Sequence, residues 1–536
     1  MKALVDGGWR DVALDYSREA DDYRLRVLFW RNVAPVEGLY FVRPRDWRML
    51  ANYLREIGLK EVARKVRSRL GERRRNDKLV SCGVGRVLEA PVDGTFAVGA
   101  LVGFVAPSHP RCVERVVLPE GLLASADDAW ERALDDGEVL HERMRGQAEA
   151  PELTSVAGWS PQAGARLSAP AVSDTLRRWL PSSPDELDWS RTSRLPVRPD
   201  SLPAERRRAA PRDQAKGQRD RPSAVLFGYG NYAKTALLPH VSSALRVECV
   251  HELDPLQIPS DSAGSLAWDT SPLPRPDEHY DVYLIAGYHA SHAPLAAEAL
   301  RRKASAVVEK PVATNEEQLE GLLTELAGGQ GRVFSCYQRR YSPLTAFARH
   351  DLDLSAGEPV SYHCIVYEVP LPPRHWYRWP SSGSRLLSNG CHWIDHFLDL
   401  NDFSDTLEHE VLLGPDETIN CSLELANGAF FTMALTDAGS ARLGVRDHVE
   451  LRRGNRTVTI EDNSSYRAEC TARALRKARV NKTESYRAMY RKIARRIVTG
   501  VPGDSVRSLR SSAGTVIALE RALEAAKQAR AASARP

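Results

Sequence analysis

The sequence predicts a three-part protein: a mainly-β N-terminal part, a parallel α/β domain, and an α+β domain whose sheet is mostly antiparallel. Three observations carry this. Residues 224–227 form a short apolar run of buried-strand length that ends in a glycine-rich turn. Residues 281–286 and 304–308 repeat the pattern, with an alanine-rich helical segment between them. Further on, the alternating runs 418–425 and 429–435 flank Asn427-Gly428, a strong hairpin signal.

The chain has 536 residues, too long for one ordinary core. The expected divisions are 1–150, 151–222 (an irregular segment and linker), 223–342 and 343–536. A net charge of +4 is small for this length and implies no nucleic acid or other polyanion as partner. No apolar run approaches the roughly 18 residues that cross a membrane, and charge interrupts the N-terminus too early for a signal peptide. The eight cysteines are scattered without a CxxC pair. This speaks against a zinc knuckle or a disulfide scaffold and suits a reducing cytoplasm.

In chain order, residues 24–29 and 38–42 read as strands. A helix is expected from Asp46, which caps it, because Leu50, Leu54, Ile57, Val62, Val66 and Leu70 recur at helical spacing. Its other face is basic, but it lacks interleaved aromatics and Glu61 and Glu72 dilute the charge, so a solvated face is the better reading. Residues 79–124 show short strands punctuated by glycine and proline, an all-β pattern. Helical pieces are expected at 128–134 and 137–144. Prolines then recur from 181 to 222 and the interval 204–221 is nearly all polar or alanine, which reads as a flexible linker.

The glycine-rich turn, Gly228-Tyr229-Gly230-Asn231-Tyr232-Ala233, has the form GxGxxA. Gly228 permits a tight turn, Gly230 lets backbone N–H groups approach a pyrophosphate, and Ala233 lets helix and strand pack closely. Glu252 ends the following strand segment, roughly 20 residues on, where an acid binds the adenosine ribose hydroxyls. An acid there repels a 2′-phosphate, so NAD is favoured over NADP. Alone the motif is weak; the flanking strands and the acid make it a Rossmann fingerprint. Tyr288, His289 and His292 follow the strand at 281–286. Glu309-Lys310-Pro311 follows the next strand, at the sheet end where open α/β folds bind ligands.

The order of these elements, with "YDVYLIAGYHASHAPLAAEALRRKASAVVEKPVATNEEQ", "YQRRYSP" and "GCHWIDHF", resembles the Gfo/Idh/MocA oxidoreductases over roughly residues 223–530. That resemblance implies NAD(P)-dependent oxidation or reduction of sugars and cyclitols. It also implies self-association through the open face of the C-terminal sheet. Residues 1–125 resemble the GroES-like domain of medium-chain alcohol dehydrogenases, although Ala100 stands where an aspartate is usual and no zinc ligand set is present. His109 and Cys112 are two residues without partners, so no metal is expected. The N-terminal part then reads as a scaffold, a substrate gate or an oligomer contact.

Hydride transfer at a carbinol carbon needs a cofactor face, a group that exchanges the hydroxyl proton, and donors that fix the substrate. Lys310 is the first candidate; its ammonium can bond the reacting oxygen, and desolvation would lower its pKa. The other reading is a surface ion pair with Glu309. His392 is the second candidate, since the family places an acid/base histidine there; the other reading is a satisfied core histidine. The family commonly carries an aspartate four residues before that histidine, and here Ser388 takes the place. Asp395, one helical turn later, could orient the ring. Arg339 and Arg340 read either as clamps on a substrate anion or as structural ion pairs. Trp376 and Tyr377 read either as a sugar-stacking wall or as a packed loop. His289 and His292 either line the nicotinamide ribose or cap the next helix.

The expectation is therefore an NAD-dependent oxidoreductase acting on a polyhydroxylated small molecule: a sugar, nucleotide sugar or cyclitol. Two rivals stand beside it. One is a non-catalytic dinucleotide-binding module, its chemistry lost at Ser388. The other is a glycosidase-like enzyme that uses NAD transiently.

Overall fold

The computed structural model describes residues 2–5, 8–11, 22–35, 79–106, 115–126, 130, 138–142, 180, 186–187, 192–196, 221–253, 266–269, 271–329, 331–371, 376–378, 380–439 and 444–533. They fall into two compact units. One is drawn from 1–41, 67–211 and 251–275, and the other from 42–66, 212–250 and 276–536. The expected strand at 38–42, the helix at 46–70, most of the helical piece at 128–134, His109, Cys112 and residues 204–220 of the 204–221 stretch lie outside the described residues.

The N-terminal part is mainly β. Strands β1 (Lys2–Val5) and β2 (Gly8–Asp11) form an antiparallel pair. A second sheet holds β3 (Asp22–Pro35), β4 (Leu79–Glu89), β5 (Leu101–Ala106), β6 (Arg115–Pro119), β7 (Leu123–Ser125), β8 (Glu138–Glu142) and β9 (Thr192–Pro196). Its path is β7-β5-β4-β3-β8-β9, with β6 on β3. Tyr23, Leu25, Trp30, Val102 and Phe104 form the centre of its core. Gly83 makes room for that core: a Cβ there would stand 2.6 Å from the Phe104 ring and 2.1 Å from the Phe29 carbonyl oxygen.

Two segments depart from the sequence expectation. Residues 138–142, inside an expected helix, are β8, which pairs parallel with β3 and antiparallel with β9. Burial of Val139 and Leu140 against the sheet outweighs the local helical pattern. Residues 192–196, within the expected linker, are β9, which pairs antiparallel with β8.

The α/β sheet contains β10 (Ser223–Phe227), β11 (Arg246–His251), β12 (Ala267–Asp269), β13 (Val282–Ile285), β14 (Ser305–Val308) and β15 (Arg332–Ser335). Its order is β12-β11-β10-β13-β14-β15. The pairs β10–β13, β13–β14 and β14–β15 are parallel. Every residue of β13 and β14 is buried, the pattern of strands covered on both faces. The chain order reverses between β10 and β13, which makes their carboxyl ends the switch point where such sheets take ligands. After β10 runs a π-helical turn, Ala233–Leu237, that continues as α1 (Leu238–Val241). Helices α2 (His292–Arg301) and α3 (Glu316–Ala327) follow β13 and β14.

The C-terminal domain begins with α4 (Pro343–Asp351). Its sheet comprises β16 (Ser361–Tyr367), β17 (Thr406–Leu413), β18 (Ile419–Leu425), β19 (Phe430–Thr436), β20 (Arg446–Arg453), β21 (Arg456–Glu461), β22 (Ser465–Cys470) and β23 (Arg473–Arg479). The order is β17-β18-β19-β16-β20-β21-β22-β23. Only β16–β19 is parallel among these pairs. Helix α5 (Cys391–Leu400) packs on one face, with Phe397 against Phe431 and Tyr362. The chain closes with α6 (Glu484–Val498) and α7 (Val506–Ser533). Among the described residues no helix is long and apolar enough to cross a membrane.

Candidate active site

The turn after β10 is shaped by one glycine. Gly228 has φ +91°, and a Cβ on it would lie 2.5 Å from the Ala286 carbonyl oxygen, so the turns after β10 and β13 touch through bare backbone. Gly230 is different: a Cβ there would meet nothing within 4 Å. The backbone beside it is thus open to a ligand, and the residues present fit a pyrophosphate at this turn. Asn231 is exposed, while Ala233 is buried as the close-packing role requires. Tyr232 points elsewhere: its hydroxyl donates to Glu309 Oε1 at 3.1 Å. Glu252 follows β11 and is buried, and its backbone N–H donates to the Asp269 carbonyl at 2.9 Å.

Glu309 and Lys310 follow β14 and part company. The buried Glu309 carboxylate accepts from Tyr232 and from the Tyr490 hydroxyl of α6. Burial pushes its carboxyl up, and the phenols and the nearby Lys310 pull it partly back. No direct ion pair joins Glu309 to Lys310 among the described contacts, so the ion-pair reading of Lys310 does not describe it. Lys310 Nζ donates to the main-chain carbonyl of Ser388 at 2.8 Å and lies 5.7 Å from the centre of the Tyr377 ring. The expected lowering of its pKa is overturned. Burial does pull the ammonium down, but the acidic groups around it, Tyr377, Cys391 and Glu309 among them, outweigh burial and the net shift is upward. Lys310 therefore acts as a standing positive charge and donor.

His292 is used by the fold. Its ring nitrogens face the carbonyls of Pro311 (2.8 Å) and Gly287 (3.2 Å), and the neutral ring, with one N–H, donates to one of the two. His289 Nδ1 faces the Ser382 carbonyl at 2.9 Å. The His289 ring packs on Trp376 and Tyr377, with centroids 4.7 and 4.8 Å apart, and Tyr288 meets Trp376 edge-on at 5.2 Å. Tyr288, His289, Trp376 and Tyr377 are thus one aromatic cluster, whose Tyr377 also reaches Lys310.

His392 opens α5 directly after a π-helical turn, Leu386–Gly390. Such turns insert an extra residue and recur at functional sites. Here the turn carries Ser388, whose carbonyl holds Lys310. His392 is 6% exposed, and its Nδ1 is buried with no hydrogen-bond partner among the described residues. Burial, with the positive charges of Lys310 and Arg339, holds its pKa well below the usual histidine value. The ring is a neutral base at pH 7.

The structure assigns the other candidates to support. Asp395 does not orient His392; it accepts from Arg340 Nε (2.9 Å) and from Ser512 Oγ (2.7 Å). Arg339 does not clamp a ligand through its terminal nitrogen: Nη2 pairs with Asp447 at 2.6 Å and the guanidinium lies over Trp393, which also donates to Asp447. Three residues absent from the sequence reading join the site. Tyr486 and Tyr490 come from α6, and Glu368 follows β16; Glu368 accepts from Asn389 Nδ2 at 2.5 Å and feels the charge of Lys310. No motif marks them, because only the folded chain brings α6 and the end of β16 to Lys310.

Chemically, one fixed ammonium and one neutral, unpartnered imidazole stand beside the carboxyl ends of a parallel sheet. That pair can polarise a carbinol or carbonyl oxygen and exchange its proton.

No protein-family model matches the chain, and no curated protein matches it. Among solved structures it is similar to a variant of KijD10, a 3-ketoreductase from Actinomadura kijaniata in complex with TDP-benzene and NADP (16% identity, 56% of this chain, 98% of that chain, TM-score 0.48). It is also similar to GenD2 from gentamicin A biosynthesis, in complex with NAD (15% identity, 58% and 96%, TM-score 0.47). A third is the UDP-N-acetylglucosamine 3-dehydrogenase GnnA from Acidithiobacillus ferrooxidans (13% identity, 57% and 98%, TM-score 0.47).

Proposed function

We propose that the chain is an NAD-dependent oxidoreductase of the Gfo/Idh/MocA type, transferring hydride to or from a carbinol or carbonyl carbon of a sugar, nucleotide sugar or cyclitol. One observation carries the reading: Lys310 and the buried, unpartnered Nδ1 of His392 are gathered around the Leu386–Gly390 turn. The Gly228–Ala233 turn and its open Gly230 would hold the pyrophosphate, and Glu252 would take the adenosine ribose hydroxyls. When bound, the nicotinamide supplies the hydride acceptor or donor. The rest falls to side chains. Lys310 donates a hydrogen bond to the substrate oxygen and stabilises negative charge that develops there. His392 Nδ1 takes the hydroxyl proton in oxidation and returns it in reduction. Ser388 contributes only its carbonyl, which sets the lysine.

Within this reading the substrate is a small molecule of the cytoplasm, the open face of the β16–β23 sheet serves self-association, and the GroES-like N-terminal part is a scaffold. The test is a fluorescence titration of the whole protein with NADH and NADPH, followed by a panel of sugars in the presence of NAD. Tighter binding of NADH and a redox change with one sugar class are expected, and Lys310→Ala should abolish the second while sparing the first. Absence of nicotinamide binding sinks the proposal. Binding without redox change, unaltered by Lys310→Ala, favours the non-catalytic module, and product formation without net NADH favours the glycosidase-like rival.

A further inference from the structure

The Leu386–Gly390 turn holds two charged side chains with consecutive residues. Ser388 accepts from Lys310 through its carbonyl, and Asn389 donates to Glu368 Oε1 through its amide. Glu368 is fixed at its own backbone, where its N–H donates to the Thr436 carbonyl at 2.8 Å. It is 7% exposed, and its second oxygen, Oε2, is buried with no hydrogen-bond partner among the described residues. The nearest cation, Arg385, has Nε 3.9 Å from Oε2. Arg385 is held by other groups: Nη1 forms an ion pair with Asp437 at 2.8 Å without hydrogen-bonding geometry, and Nη2 donates to the Glu417 carbonyl at 2.6 Å.

A buried acceptor without a donor costs about 1–3 kcal/mol, and more for a charged group. The cost is recovered if a ligand brings the donor. His392 Nδ1 is the second such atom around the same turn. Lys310 and His392 between them serve one hydroxyl, the reacting one. Glu368 Oε2 needs a donor of its own, which a substrate with a single hydroxyl lacks. A substrate carboxylate or phosphate at this position would face the Glu368 charge and be repelled.

We propose that Glu368 is a specificity-determining residue that accepts a hydrogen bond from a second substrate hydroxyl, next to the reacting one, so that the enzyme takes polyols and rejects simple secondary alcohols. The inference rests on the oxidoreductase reading. It gives that reading a substrate requirement and supplies from the end of β16 a carboxylate that position 388 lacks.

The test uses the full chain with saturating NAD and follows NADH formation from myo-inositol, D-glucose and UDP-glucose. Each is paired with the analogue deoxygenated next to the oxidised carbon, and cyclohexanol is the single-hydroxyl control. Wild type should prefer each accepted parent over its deoxy analogue by at least tenfold, because a site built to bond a hydroxyl is left unpaired by the analogue. Glu368→Gln should cut kcat/KM for the parent about tenfold or more and leave the deoxy analogue within about twofold. NADH titration of each variant reports whether it has folded, and Glu368→Asp serves if the glutamine variant has not. Equal losses on parent and analogue, no wild-type discrimination, oxidation of cyclohexanol as fast as the polyols, or NADH binding without oxidation of any polyol would each overturn the inference. Failure to bind NADH at all removes the parent reading instead.

Discussion

Gly228 and Gly230 are two residues apart and do opposite things, which makes them a sensitive pair. Gly228→Ala places a Cβ against the Ala286 carbonyl at a φ of +91°, so it strains the fold itself. A loss of about 1–3 kcal/mol is expected, read as a lower melting temperature together with weaker NADH binding. Gly230→Ala meets no protein atom, so stability should stay within about 0.5 kcal/mol while NADH affinity falls. If both variants keep wild-type affinity, the turn does not carry the dinucleotide. His392 gives a second residue-scale prediction. Its pKa lies well below the usual value because burial and the Lys310 and Arg339 charges disfavour the imidazolium. The oxidative kcat/KM should therefore show no inflection near pH 6.5, whereas an ordinary histidine base would lose about tenfold per pH unit below it. A profile that breaks near 6.5 contradicts the buried neutral ring. The glycines were legible in the sequence because their role is local. Arg339 and Asp395 were not: their partners, Asp447 and Ser512, lie 108 and 117 residues away. No short-range pattern separates a clamp from an ion pair at that distance.

At the scale of elements, the short helical turn Gln338–Tyr341 is the joint between the α/β sheet and the C-terminal domain. Arg339 from this turn, Trp393 from α5 and Asp447 from β20 meet on one carboxylate oxygen. Removing the cation leaves Asp447 buried without its charge partner. Arg339→Ala should therefore destabilise by about 3–5 kcal/mol, visible in the chemical unfolding midpoint. A substrate clamp would instead raise KM with stability intact, and that outcome would return Arg339 to the binding site. The strands at 281–286, 304–308, 418–425 and 429–435 were legible because buried runs and strict alternation are strong signals. Strands β17, β22 and β23 were missed for a physical reason. The exposed, charged run Arg473–Arg479 lies at the sheet edge, where charge protects against stray pairing and hides the alternation. The π-helical turn Leu386–Gly390 was equally invisible, since nothing in Leu-Leu-Ser-Asn-Gly distinguishes it from an α-helical start.

Over the whole molecule, several buried titratable groups set opposing pH dependences. His292, His392 and His396 are all held neutral, burial being the largest cause in each. On unfolding they regain a pKa of about 6.5 and bind protons that the folded state refuses. Their contribution is thus intact above about pH 6.5 and is lost as the pH falls below it. Asp395, Glu309, Glu368 and Glu520 act in the opposite sense, because burial raises them and the folded state keeps protons that the unfolded state has released. Asp395 is pushed up to about 6, so its contribution is lost as the pH rises toward that value. His396 isolates the histidine effect, since it sits away from the proposed chemistry with its two nitrogens on Thr345 (2.9 Å) and Tyr362 (3.1 Å). His396→Asn should be less stable than wild type at every pH, having lost those bonds. Between pH 6.5 and 5.5, however, the wild type should lose up to about 1.4 kcal/mol per pH unit more than the variant, the value of one linked proton. Unfolding midpoints of both proteins across that interval decide it: parallel slopes would mean that folding leaves the pKa of His396 unchanged.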